Sequence, residues 1–351
     1  LTWEEVVTRR AILPIAALSV VFCSATAAMP EPRKVQVEGH FLHDDDQNLE
    51  VSGIACSTPP GEAMRTCLVA LDEGLAAQWA TLTLGPGPKL TVGAAVPLFD
   101  VSANTPELLA GIPPVACAGG TGGFNEHDSE GVAFAGDHFF LTGSHGCGRN
   151  SSKFKASSFI DVRLAAMDGG EPPVLTTLLN TALANLPALT AAFGKDIVDG
   201  SGISIEGIAA SDDTLFFGLR SPVLDDGAPI VAVDAAALFA GDDAPGGTLY
   251  NAKLDGMGVR DLAVLGTDPL QLLVLAGPSA GEGGAFAVFL FTPHEGNGSE
   301  TTVPVAALSV PDGEKAEGLL VAARDGNNVK ALILHDGVED GDPTLYDLTL
   351  P

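Results

Sequence analysis

Three glutamates, Glu130, Glu206 and Glu317, each stand directly before a glycine that opens an apolar run, in "SEGVAF", "IEGIAA" and "AEGLLV". Carboxylates set against apolar surface do two kinds of chemistry: they pass protons as general acid and base, and they ligate hard cations. Two further segments keep the pattern with another residue in the glutamate's place, Ser52 in "VSGIAC" and Arg260 in "VRDLAV". A serine hydroxyl adds an oxygen to a cation site, whereas a guanidinium binds anions or neutralises the carboxylates beside it. His145, in "TGSHG", is the histidine best placed to move a proton near neutral pH. The candidate catalytic residues are therefore Glu130, Glu206, Glu317 and His145, and the candidate metal ligands are Ser52, Glu130, Glu206 and Glu317.

Anion binding has its own candidates, Arg149, Arg220 and Arg260. Four basic residues crowd positions 149 to 163, "RNSSKFKASSFIDVR", and Arg220 sits in "GLRSPV" between Gly218 and Pro222. Arginine forks suit bidentate phosphate or carboxylate contacts; the plain alternative for Lys153 and Lys155 is a solvated loop. The chain carries no G-x-S-x-G, H-E-x-x-H, P-loop or dinucleotide fingerprint, so serine hydrolase, zincin and nucleotide-cofactor chemistry lack support. The acidic stretches "DDDQNLE" and "DGVEDGD" lack the spacing of an EF-hand.

These five segments, four marked by the glycine and one with Asp261 in its place, must be positioned by a repeating element. Each is a short apolar run, a turn and a second apolar run, which reads as a β-hairpin. A third apolar segment follows every hairpin ("AQWATLTL", "SSFIDVRLAAM", "PIVAVDAA", "FAVFLFT", "TLYDLTL"), and a fourth follows all but the last. Four-stranded units repeated about an axis form a β-propeller, whose closure removes the edges an open array would expose. The pattern predicts an all-β propeller of five blades, each of four antiparallel strands, with the missing last strand supplied from the N-terminal "KVQVEGHFL". Longer connections near 100–128 and 181–204 leave six blades as the alternative, and "LANLPALTAAFGKD" is the place for a helix. In such a ring the innermost strands begin together, which brings Ser52, Glu130, Glu206, Arg260 and Glu317 to the mouth of the central channel.

Bulk properties narrow the function. The 351 residues are 46% hydrophobic, enough for a large core, and 45 acidic against 17 basic residues give a net charge of −28. That charge repels phosphates and excludes nucleic acid as a partner. Residues 1–28 carry Arg9 and Arg10, an apolar stretch from Ala11 to Phe22 and an Ala25-x-Ala27 site, the order of a secretory signal. A single domain over 29–351, periplasmic or extracellular and free of the membrane after cleavage, is expected. Four cysteines remain, Cys56, Cys67, Cys117 and Cys147, and an even number in an exported chain favours disulfides over zinc. Three pairings exist; the propeller places Cys56 and Cys67 on adjoining strands and Cys117 and Cys147 on one face, which predicts those two bridges.

The motifs "SEGVAF…LTGSH", "IEGIA…LFFGLRSPV" and "VRDLAV…LLVLAGP" resemble the bacterial DUF3616 family, a domain of unknown function in which a GLR-x-P-V segment, here Gly218 to Val223, is characteristic. The resemblance covers nearly all of the mature chain and implies a shared fold and site without an activity. A more distant similarity is to calcium-activated nucleotidases (apyrases), five-bladed propellers that hold Ca²⁺ on the axis with Ser and Glu from successive blades. That similarity implies calcium at Ser52, Glu130, Glu206 and Glu317, with Arg260 as the departure: its guanidinium either competes with the ion or braces Glu206 and Glu317. Two functions follow as expectations. One is a metal-dependent hydrolase of a phosphorylated or other anionic small molecule; the other is a non-catalytic propeller that binds a ligand or a protein over a structural Glu/Arg ring.

Overall fold

The computed structural model describes residues 31–43, 46–47, 49, 51–99, 108, 110–112, 117, 126–147, 155–166, 171–197, 202–240, 243, 245–281, 283–294 and 300–351. The expected export signal, Arg149 and Lys153 lie outside them. The chain forms five antiparallel blades. The first holds β5 (Val51–Cys56), β6 (Met64–Leu71), β7 (Ala76–Thr83) and β8 (Lys89–Pro97). The second holds β9 (Ser129–Ala135), β10 (His138–Gly143), β11 (Asp161–Ala165) and β12 (Val174–Thr176). The third consists of β13 (Ser204–Ser211), β14 (Thr214–Ser221), β15 (Ala228–Asp234) and β16 (Gly247–Ala252), and the fourth of β17 (Gly258–Thr267), β18 (Leu270–Gly277), β19 (Phe286–Thr292) and β20 (Thr301–Leu308). The fifth has β21 (Lys315–Asp325), β22 (Asn328–Asp336) and β23 (Thr344–Thr349).

The fifth blade is completed from the other end of the chain, as the repeat count requires. Strand β1 (Arg33–Lys34) runs antiparallel to β23, pairing Arg33 with Leu345 and Lys34 with Thr344. The same segment then continues into β2 (Gln36–Glu38), which adds to β8 in parallel as a fifth strand of the first blade. Only two residues of the N-terminal segment therefore serve as the closing strand. The rest ties the first blade to the last, and Phe41, fully buried, packs into the core between them.

Tight hairpins set the inner registers. Two-residue loops at Gly136–Asp137, Asp212–Asp213 and Gly326–Asn327 begin on a residue of positive φ (57°, 49° and 56°), the geometry that matches strand twist. Five apolar clusters occupy the five gaps between neighbouring blades, one to each gap, with the helix α1 (Leu178–Asn185) and the short α2 (Ala235–Ala240) covering the gap between the second and third. Helix α1 begins just before the stretch expected to hold one, directly after β12. Inner strands are buried around the motif positions, with β9, β17 and β21 emerging at their C-terminal ends, whereas the outer β8 and β20 are half exposed, as their polar and small residues dictate. Both expected disulfides form: Cys56 and Cys67 face each other across β5 and β6, and Cys117 joins Cys147. Among the described residues no helix is long and apolar enough to cross a membrane.

Candidate functional site

The five motif positions share a backbone feature that sequence spacing does not reveal. In four blades the residue before the motif glycine, and in the remaining one the residue before Asp261, is skipped by the inner ladder: Val51 and Gly53 pair while Ser52 does not, and the same holds for Glu130, Glu206, Arg260 and Glu317. Each is the extra residue of a β-bulge, which bends the strand and re-aims one side chain. Arg220 is skipped likewise on β14, since Ser204 pairs with Ser221 and Ile205 with Leu219. Six bulge residues thus supply the side chains of one buried polar cluster.

Close approach of the inner strands makes the following glycine necessary. A Cβ on Gly53 would stand 2.9 Å from the Cα of Gly131, and one on Gly207 only 2.5 Å from the Cα of Asp261. The fourth blade replaces the glycine with Asp261, whose carboxylate holds the adjoining blades together instead. Its oxygens accept from the amides of Leu262 (2.7 Å) and Leu319 (2.6 Å), and the amide of Ile208 also bonds to it. Burial pushes the Asp261 carboxyl well above the usual range while those three amides pull it back. One layer below the polar ring stand Ile54, Val132, Ile208, Leu262 and Leu319, all buried, and they line, with residues further along the inner strands, an axial cavity of about 420 Å³.

Within the ring the charges find specific partners. Arg260 Nη1 donates to Glu206 Oε2 at 2.7 Å and to Glu317 Oε1 at 2.5 Å, crossing from the fourth blade to both neighbours. Arg220 Nη1 donates to the other Glu206 oxygen at 2.9 Å, and its Nη2 to the carbonyl of Gly281 at 2.9 Å. Ser52 Oγ donates to the carbonyl of Ser129. Glu130 alone has no hydrogen-bond partner among the described residues. Burial, then the charges of Glu206, Asp128, Asp72 and Glu317, push its carboxyl well above the usual range. Glu317 is pushed up to about 7 by burial, against the pull of Arg260. Three guanidinium N–H donors face no acceptor among the described residues: Arg220 Nε, Arg260 Nε and Arg260 Nη2.

This donor set does not fit calcium. Both Glu206 oxygens and one of Glu317 are engaged by guanidiniums, and Arg260 brings its own positive charge to the ring. Calcium needs six to eight oxygens and an excess of negative charge, and only Glu130 is uncommitted.

His145 stands elsewhere, fully buried inside the second blade. Its Nδ1 faces Asn180 Oδ1 at 2.7 Å, whose amide nitrogen is turned to the carbonyls of Phe159 and Thr177, and its Nε2 faces Asp161 at 3.2 Å. These partners anchor the loop after β10, where His145 has a φ of 52°. None of its contacts is to the axial ring. His127 is equally committed, with Nε2 donating to the carbonyl of Ile160 at 2.8 Å, and burial holds its imidazole down at about 4. Of the basic cluster around position 155, Lys155 pairs with Glu126 and Arg163 lies over the Phe239 ring.

The sequence names every ring member but one as a candidate. Asp261 is visible only as the residue that breaks the glycine column. Arg220, expected among the anion-binding residues, is 2% exposed and bound to Glu206, because a bulge on β14 turns it into the ring.

Two solved structures match the chain at low similarity. An aldose sugar dehydrogenase from Streptomyces coelicolor in its PQQ-bound form is 11% identical, with a TM-score of 0.36 over 92% of this chain and 99% of that one. The β-propeller domain of Nup133 from Vanderwaltozyma polyspora is 9% identical, with a TM-score of 0.33 over 85% and 70%. No curated protein matches the chain. Neither likeness carries a nucleotidase relationship or an activity. The family match is narrower than the motifs suggest: it begins after the "SEGVAF…LTGSH" segment and spans residues 176–342. Over that stretch, which contributes Glu206, Arg220, Arg260 and Glu317 to the ring, the chain matches the model of DUF3616, a family described as a protein of unknown function.

Proposed function

We propose that this is an exported propeller that binds a small anionic molecule at its axial ring without transforming it. The carrying observation is the set of buried guanidinium donors, Arg220 Nε and Arg260 Nε and Nη2, that the protein's described residues leave without acceptors. An unmade hydrogen bond from a buried charged donor costs several kcal/mol, about 1–3 or more each, so these donors call for an acceptor. A carboxylate or phosphate oxygen supplies one with charge assistance. The electrostatics agree: two guanidiniums face one doubly paired carboxylate, while Glu130 favours its neutral form and Glu317 titrates near neutrality. A neutral Glu130 also offers an O–H donor to the same ligand. Two disulfides and the N-terminal segment support export to an oxidising compartment.

The test is a thermal-shift and calorimetric panel of small carboxylates and phosphoesters on the wild type, Arg220→Lys and Arg260→Lys. Lysine keeps the charge but lacks the fork, so a ligand of the wild type should bind at least tenfold more weakly to either variant. A panel without any binder, or equal binding by all three proteins, overturns the reading.

One observation favours a second reading, a hydrolase. Glu130 and Glu317 are buried carboxyls of one ring, both with raised titration and the second acting electrostatically on the first, a type of pair that serves as general acid and base. Turnover of a phosphoester or glycoside that vanishes in Glu130→Gln would select it over binding alone.

A further inference from the structure

The fifth blade carries a second polar cluster that the ring does not use. Glu314 lies just before β21, His335 in β22, and Asp342 in the loop before β23, with one ligand atom of each within 4.8 Å of the other two. His335 is 1% exposed. Its Nδ1–H donates to the carbonyl of Asp342 at 3.2 Å, which leaves Nε2 as a buried lone pair without a partner among the described residues. Glu314 Oε2 is buried and unpartnered as well. A histidine that gives one N–H to a backbone carbonyl and keeps its other nitrogen unpartnered, in a group with two carboxylates, has the arrangement of a metal ligand and its orienting partner.

We propose that Glu314, His335 and Asp342 hold a divalent transition-metal ion of the zinc class. An imidazole nitrogen beside two carboxylates favours such an ion over calcium or magnesium, which prefer oxygen alone. Ligands about 2.0–2.2 Å from a common ion stand ~3–4.4 Å apart, so a side-chain rotation of Glu314 closes the site. The cysteine spacing that argues against a thiolate zinc site has no bearing on this set. Three protein ligands leave a position open for water or for an exogenous donor.

The place of the cluster gives the ion a structural consequence. Lys34 of the closing strand β1 pairs with Asp342 Oδ2, and the amide of Val35 donates to the carbonyl of Pro343 at 2.8 Å. An ion at Asp342 competes with Lys34 for one oxygen and ties the loop beneath the closing strand to β21 and β22. Binding to the folded state alone then stabilises the closed ring.

The experiment uses the tag-free protein stripped with a chelator. Zn²⁺ should bind as one equivalent per chain and raise Tm by several degrees, and excess Ca²⁺ should not displace it. Glu314→Gln and Asp342→Asn should each weaken Zn²⁺ binding at least tenfold, the second being tolerated by the backbone because asparagine accepts the φ of 34° at that position. His40→Ala serves as the control for the exposed neighbouring group of His40, Glu339 and Asp340 and should leave binding unchanged. Zinc anomalous scattering from wild-type crystals places the ion directly, whatever the variants do. Absence of uptake by the wild type, wild-type affinity in both Glu314→Gln and Asp342→Asn, loss of binding in His40→Ala, or an ion located elsewhere would each overturn the proposal.

Discussion

Arg260 reaches from the fourth blade to Glu206 of the third, Nη1 to Oε2 at 2.7 Å, with both side chains almost wholly out of water. The same nitrogen also holds Glu317 of the fifth blade, so one guanidinium spans two blade boundaries. Taking charges out of water is costly, and a pair of this kind stabilises chiefly by keeping each charge from being left alone.

Removal of one partner should therefore cost more than removal of both. Arg260→Met leaves Glu206 and Glu317 without their shared cation and should destabilise by about 3–5 kcal/mol. In the double variant Arg260→Met, Glu317→Gln, which leaves Glu206 paired with Arg220, much of that loss should return. Urea unfolding of the series measures it, and a double variant less stable than Arg260→Met would show that the ring contributes more than charge compensation.

Glu130 should reveal itself through pH. Its folded-state carboxyl lies well above the ordinary value of 4.5, so the stability linked to its proton is fully present below that value and is lost as pH rises. Glu317 behaves alike over the window from 4.5 to about 7. His127, held down at about 4 from 6.5, acts oppositely and loses stability as pH falls through that range, so wild-type curves mix the two signs. Glutamine mimics the neutral carboxyl. Glu130→Gln should match the wild type near pH 5 and exceed it by about 1–2 kcal/mol at pH 8, where the buried charge is a burden. A variant less stable than the wild type at pH 8 would mean that Glu130 has a charged partner.

The legible and the hidden parts of this molecule differ in physical kind. The five blades could be read because a glycine forced by strand contact recurs with an apolar run on either side of a turn, and both are local chemistry. Ring membership followed from the same column, Ser52 through Glu317. The pairing of Arg260 with Glu206 and Glu317 stayed open, since a guanidinium beside carboxylates reads equally as competitor or partner of an ion until distances exist. The inward turn of Arg220 was hidden because a bulge adds one residue to a ladder, and alternation of side chains along a strand holds no mark of where that happens. His145 looked catalytic by its place at a strand end; its enclosure by Asn180 and Asp161 depends on helix α1, whose Asn180 lies 35 residues further along the chain.

The disulfides should contribute unequally. Cys56–Cys67 closes a separation of 11 residues and Cys117–Cys147 one of 30. Loop-closure entropy gives about 3 kcal/mol for the shorter and about 4 for the longer. The larger loss of stability is thus expected for Cys117→Ala/Cys147→Ala in chemical unfolding. Equal losses would indicate that strand pairing in the first hairpin, where the two cysteines already face each other, accounts for part of the effect attributed to the bond.

The glycine column offers the most direct test of how the inner strands approach. Alanine at Gly207 would place its Cβ 2.5 Å from the Cα of Asp261, a backbone atom that cannot swing aside, and alanine at Gly53 would meet the Cα of Gly131 at 2.9 Å. Each substitution must push two blades apart at the ring, and overpacking of this kind costs about 1–3 kcal/mol. Gly207→Ala should be the worse of the two and should also disturb the Asp261 bonds to Leu262 and Leu319. Gly87→Ala, with nothing within 4 Å of the new methyl group, is the control and should be neutral. If ligand binding at Arg220 and Arg260 is lost in Gly207→Ala while Gly53→Ala keeps it, the spacing between the third and fourth blades is what aims the two guanidiniums; loss in both would place that role in the ring as a whole.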